Sequence, residues 1–539
     1  MTDRIMAHRH RLITEENSRW WTLAAMCFAL FMVMLDNTVV NVALPSIQRD
    51  LHASLSALEW TVNAYTLTFA VLMVTGGRLG DIFGRRKLFL FGVVVFAASS
   101  ALIGFAPSDT ALVVFRAFQG VGAAFMMPAT LSIITQAFPP EQRGTAIGTW
   151  AGVSALALAI GPVLGGFLTE SVSWRAIFWI NPPIAVVAVA VTLFAARDSR
   201  DETVDKTVDF PGIAAITVGL TALVLALVEG NSWHWGSSRV IGLLAVAAVA
   251  LAAFPIIEHR VKAPMVNFNF FRSRTYLGSI LVGFFVSFAM LAQFFFLALY
   301  MQNILGYSPL QAGLRFLPST LLLVVMGPLA GRLTDRLGPR PLVTTGLITV
   351  SAAIFVQAIG LTVHTTYLRL LPGFILMGIG IGLVMSPMST AAMNSVDRTK
   401  AGAASGVLAM SRMVGGTFGV AVMGALITTL GRSQLDQRLP QLPASARAAI
   451  ANSLGAGGAP TGSGHAATAQ IVVAVREAFV SALGTGLGIG GAVTLCGAGL
   501  AWWLVEKKRR PEAAQAKPAG ESGEPAAASQ EPAPELTAV

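Results

Sequence analysis

Charged residues are scarce in this chain of 539 residues, since Lys, Arg, Asp and Glu together make up 12% of it. Soluble domains carry about 25% charged residues. Hydrophobic residues make up 54% of the chain and the mean hydropathy is +0.68. So few charges cannot cover a soluble surface, and the composition therefore predicts a polytopic membrane protein whose main surroundings are lipid.

Three further absences narrow the function. The two cysteines, Cys27 and Cys496, lie in apolar stretches, which excludes a disulfide framework and predicts two small buried side chains. The seven histidines are scattered through tails and loops, which argues against a catalytic or metal cluster. No G-x-x-x-x-G-K-[ST] segment occurs, so nothing indicates a nucleotide-driven pump. We expect neither an enzyme nor a metal site.

Long apolar runs fill most of the chain. A helical span needs about 20 mostly apolar residues, and fourteen segments qualify: 20–43, 60–78, 88–106, 110–132, 145–168, 176–196, 211–229, 239–257, 275–301, 311–331, 341–361, 367–390, 402–428 and 478–504. Backbone groups cannot stay unpaired in lipid, so these spans should be helices and the protein all-α. The first run is too long for a signal-peptide core, and we expect it to be retained.

The basic residues test this count. If the N-terminus lies inside, 26 of the 37 Lys and Arg residues fall on the inner side and 8 on the outer side, while Arg116, Arg315 and Arg412 lie within spans. Inner segments of membrane proteins are enriched in Lys and Arg, so both termini are predicted to be cytoplasmic. The basic residues behind the net charge of +10 then set the orientation of the spans in the membrane, and we expect no nucleic-acid partner.

Two segments of the chain repeat each other. "GRLGDIFGRRK" at 77–87 and "GRLTDRLGPRP" at 331–341 match at six of eleven positions, each after the second span of its half. Such repeats are typical of secondary transporters. We predict a cytoplasmic tail at 1–19, a six-helix bundle at 20–196, a linker with two inserted helices at 197–258, a second six-helix bundle at 259–504 with an outer loop at 429–477, and a disordered tail at 505–539.

Six segments together carry a resemblance to a known family. Besides 77–87 they are "LDNTVVNVALP" at 35–45, "RAFQGVGAA" at 116–124, "GVSALALAIGPVLGG" at 152–166, "WRAIFWINPP" at 174–183 and "QAGLRFLP" at 311–318. Over roughly residues 15–505 the chain resembles the fourteen-span drug:proton antiporter branch of the major facilitator superfamily. The resemblance implies that family's fold, with two bundles and two inserted helices. It also implies a proton gradient as energy source and no cofactor.

The resemblance also implies roles for two groups of residues. The first is a cytoplasmic latch that holds the outward-facing state and breaks on inward opening: Gly77, Asp81, Gly84, Arg85, Arg86, Asp335 and Arg340. Alternatively, these charges only set the orientation of the spans in the membrane. The second is a small-residue face on span 5 that bends and seals the helix contact: Gly152, Gly161, Pro162, Gly165 and Gly166. Ordinary transmembrane packing is the alternative for that face.

One carboxylate lies deep in a predicted span. Asp36 lies ~10 Å below the outer end of span 1, and Arg116 lies ~9 Å below the outer end of span 4. Ionisable residues inside a membrane are usually functional and usually paired. We predict that Asp36 carries the coupling proton and that Arg116 tunes it, with a structural ion pair as the alternative. Glu59, Glu170 and Glu229 lie at outer helix ends, where we expect them to contact water.

Polar and aromatic side chains within the spans are candidates for a substrate cavity: Asn37, Asn41, Asn63, Gln119, Arg412, Phe288 and Phe295. Aromatic and Met side chains suit the binding of varied lipophilic molecules. No acid occurs at 402–430, which argues against divalent-cation drugs and against more than one coupled proton.

These observations predict a proton-coupled antiporter that exports lipophilic drugs or antibiotics across the bacterial cytoplasmic membrane by alternating access. Its expected partners are protons, membrane lipids and small lipophilic substrates, cationic ones among them, and its expected state is a monomer. Export of an endogenous metabolite or lipid is one alternative. Proton-coupled import is another, because a shared fold does not fix the cargo.

Overall fold

The structure is a computed structural model that describes residues 15–196, 207, 209–230, 233–261, 264, 266, 268–396, 401–440, 443, 447 and 469–507, with some side chains inside the helices left out. Most of the tail at 505–539, which was predicted to be disordered, and most of the tail at 1–19 lie outside the described residues. Within the described part the chain forms fourteen long helices and no strand.

The structure gives the following helix bounds. In chain order they are α1 (Glu15–Leu51), α2 (Leu55–Phe83), α3 (Arg85–Gly104), α4 (Asp109–Ala137), α5 (Pro140–Ser171), α6 (Asn181–Ala195), α7 (Phe210–Glu229), α8 (Ser238–Arg260), α9 (Arg274–Leu299), α10 (Pro309–Leu337), α11 (Pro339–Ala358), α12 (Tyr367–Asn394), α13 (Ala401–Arg438) and α14 (Ala469–Leu504). A single turn (Ala176–Trp179) precedes α6, and a π-helical turn (Tyr300–Ile304) extends α9.

Twelve of the described helices are long and apolar enough to span a membrane. The two others, α2 and α5, lie at the predicted spans 60–78 and 145–168. Both helices contain residues whose side chains lie outside the described part of the chain, and the criteria for a span apply to described residues alone. The prediction of an all-helical, multi-span membrane protein is confirmed, and the count of fourteen spans stays a prediction.

The helix ends lie on two opposite faces of the molecule. Ser18 Oγ at the start of α1 donates to the Ala195 carbonyl at the end of α6, at 2.9 Å. At the other end of α1, Gln48 accepts a hydrogen bond from Asn303 in the turn after α9, at 3.4 Å. We name the face that holds residues 15 and 504 the terminal face, and the opposite one the distal face.

The two repeated sequence segments form similar turns on the terminal face. Gly84 between α2 and α3 has a φ of 109°, and Gly338 between α10 and α11 has a φ of 82°. Glycine adopts positive φ without the steric cost that a side chain brings. Both glycines cap the preceding helix, since their N–H groups donate to the carbonyls of Gly80 and Thr334.

The same helix pairings occur twice. In the N-terminal half (α1–α6), α1 packs on α5, and α4 packs on α2 and α3. In the C-terminal half (α9–α14), α9 packs on α13, and α12 packs on α10 and α11. The halves meet where α2 packs on α13 and α5 on α10. Helix α7 packs on α8 and also touches both α2 and α13.

Part of the predicted outer loop 429–477 is helical. Helix α13 runs on to Arg438 and α14 already begins at Ala469, so both pass the predicted span limits. The apolar stripe continues beyond those limits, because Leu435 and Val475 are fully buried. Arg438 also forms an ion pair with Glu477 across the two helices.

The two cysteines differ in their surroundings. Cys27 is buried as expected, whereas Cys496 is exposed, so the prediction of burial was wrong for Cys496. Its helix, α14, also exposes Trp502 and Trp503 near its end. Apolar side chains on the outside of a membrane bundle face lipid, so a hydrophobic residue there need not be buried in protein.

The crossing of α3 and α4 depends on a glycine. A Cβ added at Gly122 would lie 2.5 Å from Phe96 N and 2.8 Å from the Gly92 carbonyl oxygen. We expect Gly122→Ala to lower the free energy of unfolding by about 1–3 kcal/mol, because the helices must part. Gly242→Ala in α8 is the control, since nothing lies within 4 Å of a Cβ there. Equal unfolding temperatures for the two purified variants in detergent would contradict the prediction.

Candidate functional site

A buried ion pair lies inside the N-terminal half. Asp36 of α1 and Arg116 of α4 are each 1% exposed. Nη1 of Arg116 lies 2.5 Å from Oδ2 of Asp36. The sequence placed the two residues at matching depth, and the structure brings them into contact. Their role in proton coupling stays a prediction.

Three neighbours complete the network around this pair. Gln119 donates from Nε2 to Oδ1 of Asp36 at 3.1 Å, and its Oε1 accepts from Nη1 of Arg116 at 2.7 Å. Nε of Arg116 donates to the Thr61 carbonyl at 2.9 Å. The Tyr65 ring centre lies 4.2 Å from the guanidinium carbon. Both oxygens of Asp36 are therefore hydrogen-bonded, and the carboxylate is enclosed by protein.

Sequence reasoning assigned Gln119 to a substrate cavity and did not mention Thr61 or Tyr65. In the structure Gln119 is fully buried within the ion-pair network. Residues three apart share a helix face, so the spacing of Arg116 and Gln119 predicts that Gln119 lies beside the ion pair. Thr61 contributes a backbone carbonyl, which no side-chain pattern reveals.

The three candidate asparagines have different surroundings. Asn37 is half-buried and donates to the Val33 carbonyl at 2.8 Å, and Asn41 donates to the Asn37 carbonyl at 3.1 Å. These bonds lie within α1 itself. Asn63 of α2 is fully buried, and its side-chain oxygen and nitrogen have no hydrogen-bond partner in the described part of the chain.

The aromatic candidates lie in the core of the C-terminal half. Phe288 is 5% exposed and Phe295 is fully buried. Both belong to α9, which packs on α13, α14 and α12. In this conformation the two rings are enclosed by protein and contribute to helix packing.

Polar contacts join the two halves at mid-depth and towards the distal face. The hydroxyl groups of Thr66 in α2 and Thr417 in α13 lie 2.6 Å apart. Gln302, after α9, donates to the Val42 carbonyl of α1 at 2.8 Å. We name the α2–α13 and α5–α10 contacts together the seam.

The predicted small-residue face of α5 packs on two different helices. A Cβ added at Gly165 would lie 2.9 Å from Val39 Cα in α1. A Cβ added at Gly166 would lie 2.7 Å from Leu310 Cα in α10. Around Gly152, towards the terminal face, nothing lies within 4 Å. The small residues of α5 thus bring α5 close to α1 and α10 near the distal face, whereas no described atom lies close to Gly152.

The remaining two residues of that face lie at the distal end of the seam. A Cβ added at Gly161 would collide with Thr38 of α1. The Pro162 carbonyl lies against Gly313 of α10. The glycines and the proline therefore let three helices approach closely, and their role in an antiport cycle stays a prediction.

The basic residues of the predicted latch contact their own half. Nη2 of Arg86 donates to the Leu193 carbonyl of α6 at 2.9 Å. The Arg340 guanidinium carbon lies 4.2 Å from a ring centre of Trp502 in α14. Arg85 is the first residue of α3.

The rest of the predicted latch is described only in part. Gly77 has just Pro128 of α4 within 4 Å of an added Cβ, and Gly84 supplies the turn described above. The side chains of Asp81 and Asp335 lie outside the described residues, so the latch stays a prediction.

Glu59 corrects the expectation of a single deep carboxylate. It is 2% exposed, and a Cβ added at Gly424 of α13 would collide with its carboxylate. Glu229 at the end of α7 accepts a hydrogen bond from Ser56, in the same part of α2. The predicted span began at residue 60, whereas α2 begins at Leu55, which places Glu59 inside the helix. Glycine 424 then admits the carboxylate into the seam.

Glu170 lies where the sequence predicted it, at an exposed helix end. Its Oε2 accepts a hydrogen bond from the backbone N–H of Leu310 at 3.0 Å. This bond links α5 and α10 at the distal end of the seam.

Comparison with known families agrees with this architecture. The family model described as Major Facilitator Superfamily matches residues 26–420, which is most of the chain. Two halves with equal pairings around a polar seam are the parts of a multi-pass membrane transporter, not of an enzyme. The chain belongs to the major facilitator superfamily.

Several relatives have names that refer to drug resistance. The chain is 34% identical to the Tetracenomycin C resistance and export protein of Streptomyces glaucescens, over 92% of each chain. It is 39% identical to the Puromycin resistance protein pur8 of Streptomyces alboniger, over 76% of this chain and 82% of the relative. It is 32% identical to the Multidrug transporter protein MdtP of Bacillus subtilis, over 80% of each. These bacterial relatives and the multi-pass fold indicate a bacterial inner-membrane protein.

A solved structure shares the fold. It is a bacterial homolog to the human lysosomal transporter Spinster, in an inward-facing and unoccupied conformation, with a TM-score of 0.65. The match covers 90% of this chain and 97% of that chain at 17% identity. At that identity the likeness shows the fold alone.

Removal of either partner of the buried ion pair should destabilise the protein. We expect Asp36→Asn or Arg116→Leu to lower the free energy of unfolding by about 3–5 kcal/mol, because each leaves a charged or polar group buried without its partner. The double variant Asp36→Asn/Arg116→Leu should lose less free energy of unfolding than the two single variants lose together. Thermal unfolding of the purified variants in detergent measures this.

The control is Asp50→Asn, in the same helix. Asp50 pairs with Arg175 at 2.5 Å, but their side chains are 47% and 26% exposed. Exposed pairs contribute about 1 kcal/mol or less, so this variant should unfold near the wild-type temperature. Additive losses in the Asp36 and Arg116 double variant would contradict a coupled pair.

Proposed function

We propose that this protein is a proton-coupled antiporter that exports lipophilic drugs or antibiotics by alternating access. The observation that carries the proposal is the fully enclosed Asp36–Arg116 pair, whose carboxylate has both oxygens bonded. Buried ionisable pairs in membrane proteins commonly lie on proton pathways. The resistance and export names of relatives that match most of the chain support drugs as the cargo.

Protonation of Asp36 is the switching step of this proposal. A proton on the carboxylate removes its negative charge and weakens its bonds to Arg116 and Gln119. The guanidinium then needs another partner, since a buried cation without one is costly. Helices α1 and α4 hold the two sides of this network, so its rearrangement changes how the N-terminal half packs.

Alternating access would use the seam. In the structure the halves touch at mid-depth through Thr66 and Thr417, and α5 lies close to α10 near the distal face. Rocking of the halves would open this end and close the other. The buried polar groups of Glu59 and Asn63 favour such an opening, because they would gain water there.

The proton gradient provides enough energy for this cycle. One charge that crosses the membrane potential gains about 2.3 kcal/mol per 100 mV. A tenfold substrate gradient costs about 1.4 kcal/mol. One proton per substrate therefore supports a gradient of tenfold or more.

We further propose the fourteen-span arrangement, with α2 and α5 as spans and both termini cytoplasmic. The terminal face is then the cytoplasmic face, and the close α5–α10 contacts lie towards the outer face. The bundles are 20–196 and 259–504, joined by the inserted helices within 197–258. The protein works as a monomer in this proposal, because each chain contains its own seam.

Two sets of residues are assigned to movement. We infer that the segments at 77–87 and 331–341 form the cytoplasmic latch when that face closes. The glycines of α5 and Pro162 allow α5 to slide on α1 and α10, since small residues keep the helix backbones close.

Lipid or metabolite export is the second candidate, and one observation favours it. A groove of about 320 Å³ lies between α2, α4 and α7 and is lined mostly by apolar residues, among them Trp60, Leu67, Val113 and Thr217. An acyl chain fits such a groove chemically. The groove would also admit a lipophilic drug from the bilayer.

Transport by inside-out vesicles tests the proton-coupled function. With an imposed proton gradient, wild-type vesicles should take up some members of a panel of lipophilic dyes and antibiotics, and Asp36→Asn should lower this uptake about tenfold or more. Asp50→Asn is the matched control and should transport like the wild type. Gradient-dependent uptake by Asp36→Asn at the wild-type rate would show that another group carries the proton. Uptake of labelled lipid alone would favour the second candidate.

Cysteine labelling tests the proposed topology. In a chain whose Cys27 and Cys496 are replaced by serine, Ser238→Cys and Asn269→Cys place single thiols at exposed positions on either side of α8. In intact cells a membrane-impermeant maleimide should label the first and not the second. Labelling of both would mean that α8 does not span, and the reverse pattern would invert the orientation.

A further inference from the structure

Arg412 of α13 is a cation without an acidic partner. In the described part of the chain no carboxylate lies within ion-pair distance of it, and its Nε is buried without a hydrogen-bond partner. The two other arginines within spans have partners for part of their guanidinium groups, although Nε of Arg315 is also buried without a hydrogen-bond partner among the described residues. Arg116 binds Asp36, while Arg315 donates to the Gln311 carbonyl at 2.9 Å and lies 3.7 Å from the Tyr307 ring centre.

The stem of Arg412 lies in an apolar setting. A Cβ added at Gly283 of α9 would lie 3.1 Å from Cγ of Arg412, 3.3 Å from Sδ of Met388 and 3.5 Å from Cδ1 of Leu408. Gly283 therefore makes room for the arginine stem against two apolar side chains. A guanidinium near such surfaces interacts more strongly with an anion than one in bulk water, because the surroundings screen charge less.

Arg412 lies where the two halves meet. The neighbouring Met413 packs on the apolar cluster of the N-terminal half, whereas Met410 and Val414 pack on the other large cluster. Arg412 and these three neighbours are all half-buried, so this turn of α13 borders space that protein does not fill. Part of the Arg412 side chain is therefore accessible to a small molecule.

Acidic groups in the described spans are poorly placed to bind a cationic molecule. Asp36 has both oxygens bonded within its network. Glu59 is enclosed against Gly424 near the distal end of the seam. In this conformation the cation Arg412 is thus more available than either carboxylate.

We propose that Arg412 binds an anionic group of the exported molecule, such as a carboxylate or phenolate on a lipophilic aromatic body. Guanidinium is planar and forms paired, charge-assisted hydrogen bonds with carboxylates. The Met and Leu side chains beside the arginine stem suit the apolar body of the ligand. This inference rests on the proposed export function and specifies the charge of its substrate.

The proposal has an energetic consequence for export. A negative interior potential drives protons inward and anions outward. An antiporter that exchanges one proton for one anion therefore uses the potential on both movements. Export of the anion should depend more strongly on membrane potential than export of a neutral analogue.

Binding of a matched charge series tests the assignment. Pyrenebutyrate, its methyl ester and pyrenebutylamine share one ring system and differ in charge. Equilibrium dialysis of the purified full-length protein in detergent should show the acid bound most tightly. Arg412→Gln should weaken binding of the acid about tenfold or more, as expected for loss of a charged hydrogen-bonding partner, and leave the ester within about twofold.

Two variants and one control separate charge from structure. Arg412→Lys should retain part of the preference for the acid, and Gly283→Ala should weaken it by displacing the arginine stem without removing the charge. Arg315→Gln should bind the acid, the ester and the amine in the same order of affinity as the wild type. If Arg412→Gln does not fold, the affinities of the wild-type protein for the three compounds decide the test. Equal binding of the three compounds, or a preference for the amine, overturns the proposal.

Transport of the same three compounds separates this inference from the export function. If inside-out vesicles take up the ester or amine in a gradient-dependent way and not the acid, export stands and the assignment of Arg412 is wrong. If no compound in this series or in the wider panel is taken up, the export function itself fails. Uptake of the acid that Arg412→Gln abolishes supports both.

Discussion

The absence of water in the bilayer is the constraint on which this structure depends. Every polar group placed at membrane depth must find a partner within the protein or lie beside a wet cavity. Asp36 and Arg116 satisfy each other, and Gln119 and the Thr61 carbonyl take up their remaining bonding capacity. This network fixes α1 against α4 and α2, so one charged cluster determines the packing of the N-terminal half.

Small residues set the second level of organisation. Lipid is as apolar as a leucine side chain, so helices in a membrane gain little from burying apolar surface against each other and rely on close contact. Gly165 and Gly166 bring α5 against α1 and α10, and Gly424 makes room for Glu59 between α13 and α2. The seam is therefore tight at one end, and its polar groups are enclosed there.

Sequence reasoning predicted the helices and the ion pair well, because both follow from local rules. Apolar runs of fixed length predict helices, and equal depth on neighbouring spans predicted the contact of Asp36 with Arg116. Burial at helix ends was harder to predict. Glu59 was placed at a wetted helix end, and the spans at 402–428 and 478–504 were drawn shorter than α13 and α14, because the continuous apolar runs are shorter than the helices. Whether a carboxylate there meets water depends on a distant glycine, Gly424, which no local pattern connects to it.

The inserted helix α7 adds a mechanical feature to this architecture. It touches α2 of one half and α13 of the other, and Glu229 at its end accepts a hydrogen bond from Ser56 of α2. A rocking motion that separates α2 from α13 must break one of these two contacts or carry α7 with it. If the halves rock as proposed, α7 would limit how far α2 and α13 separate, and the width of the groove beside it would depend on the position of the two halves.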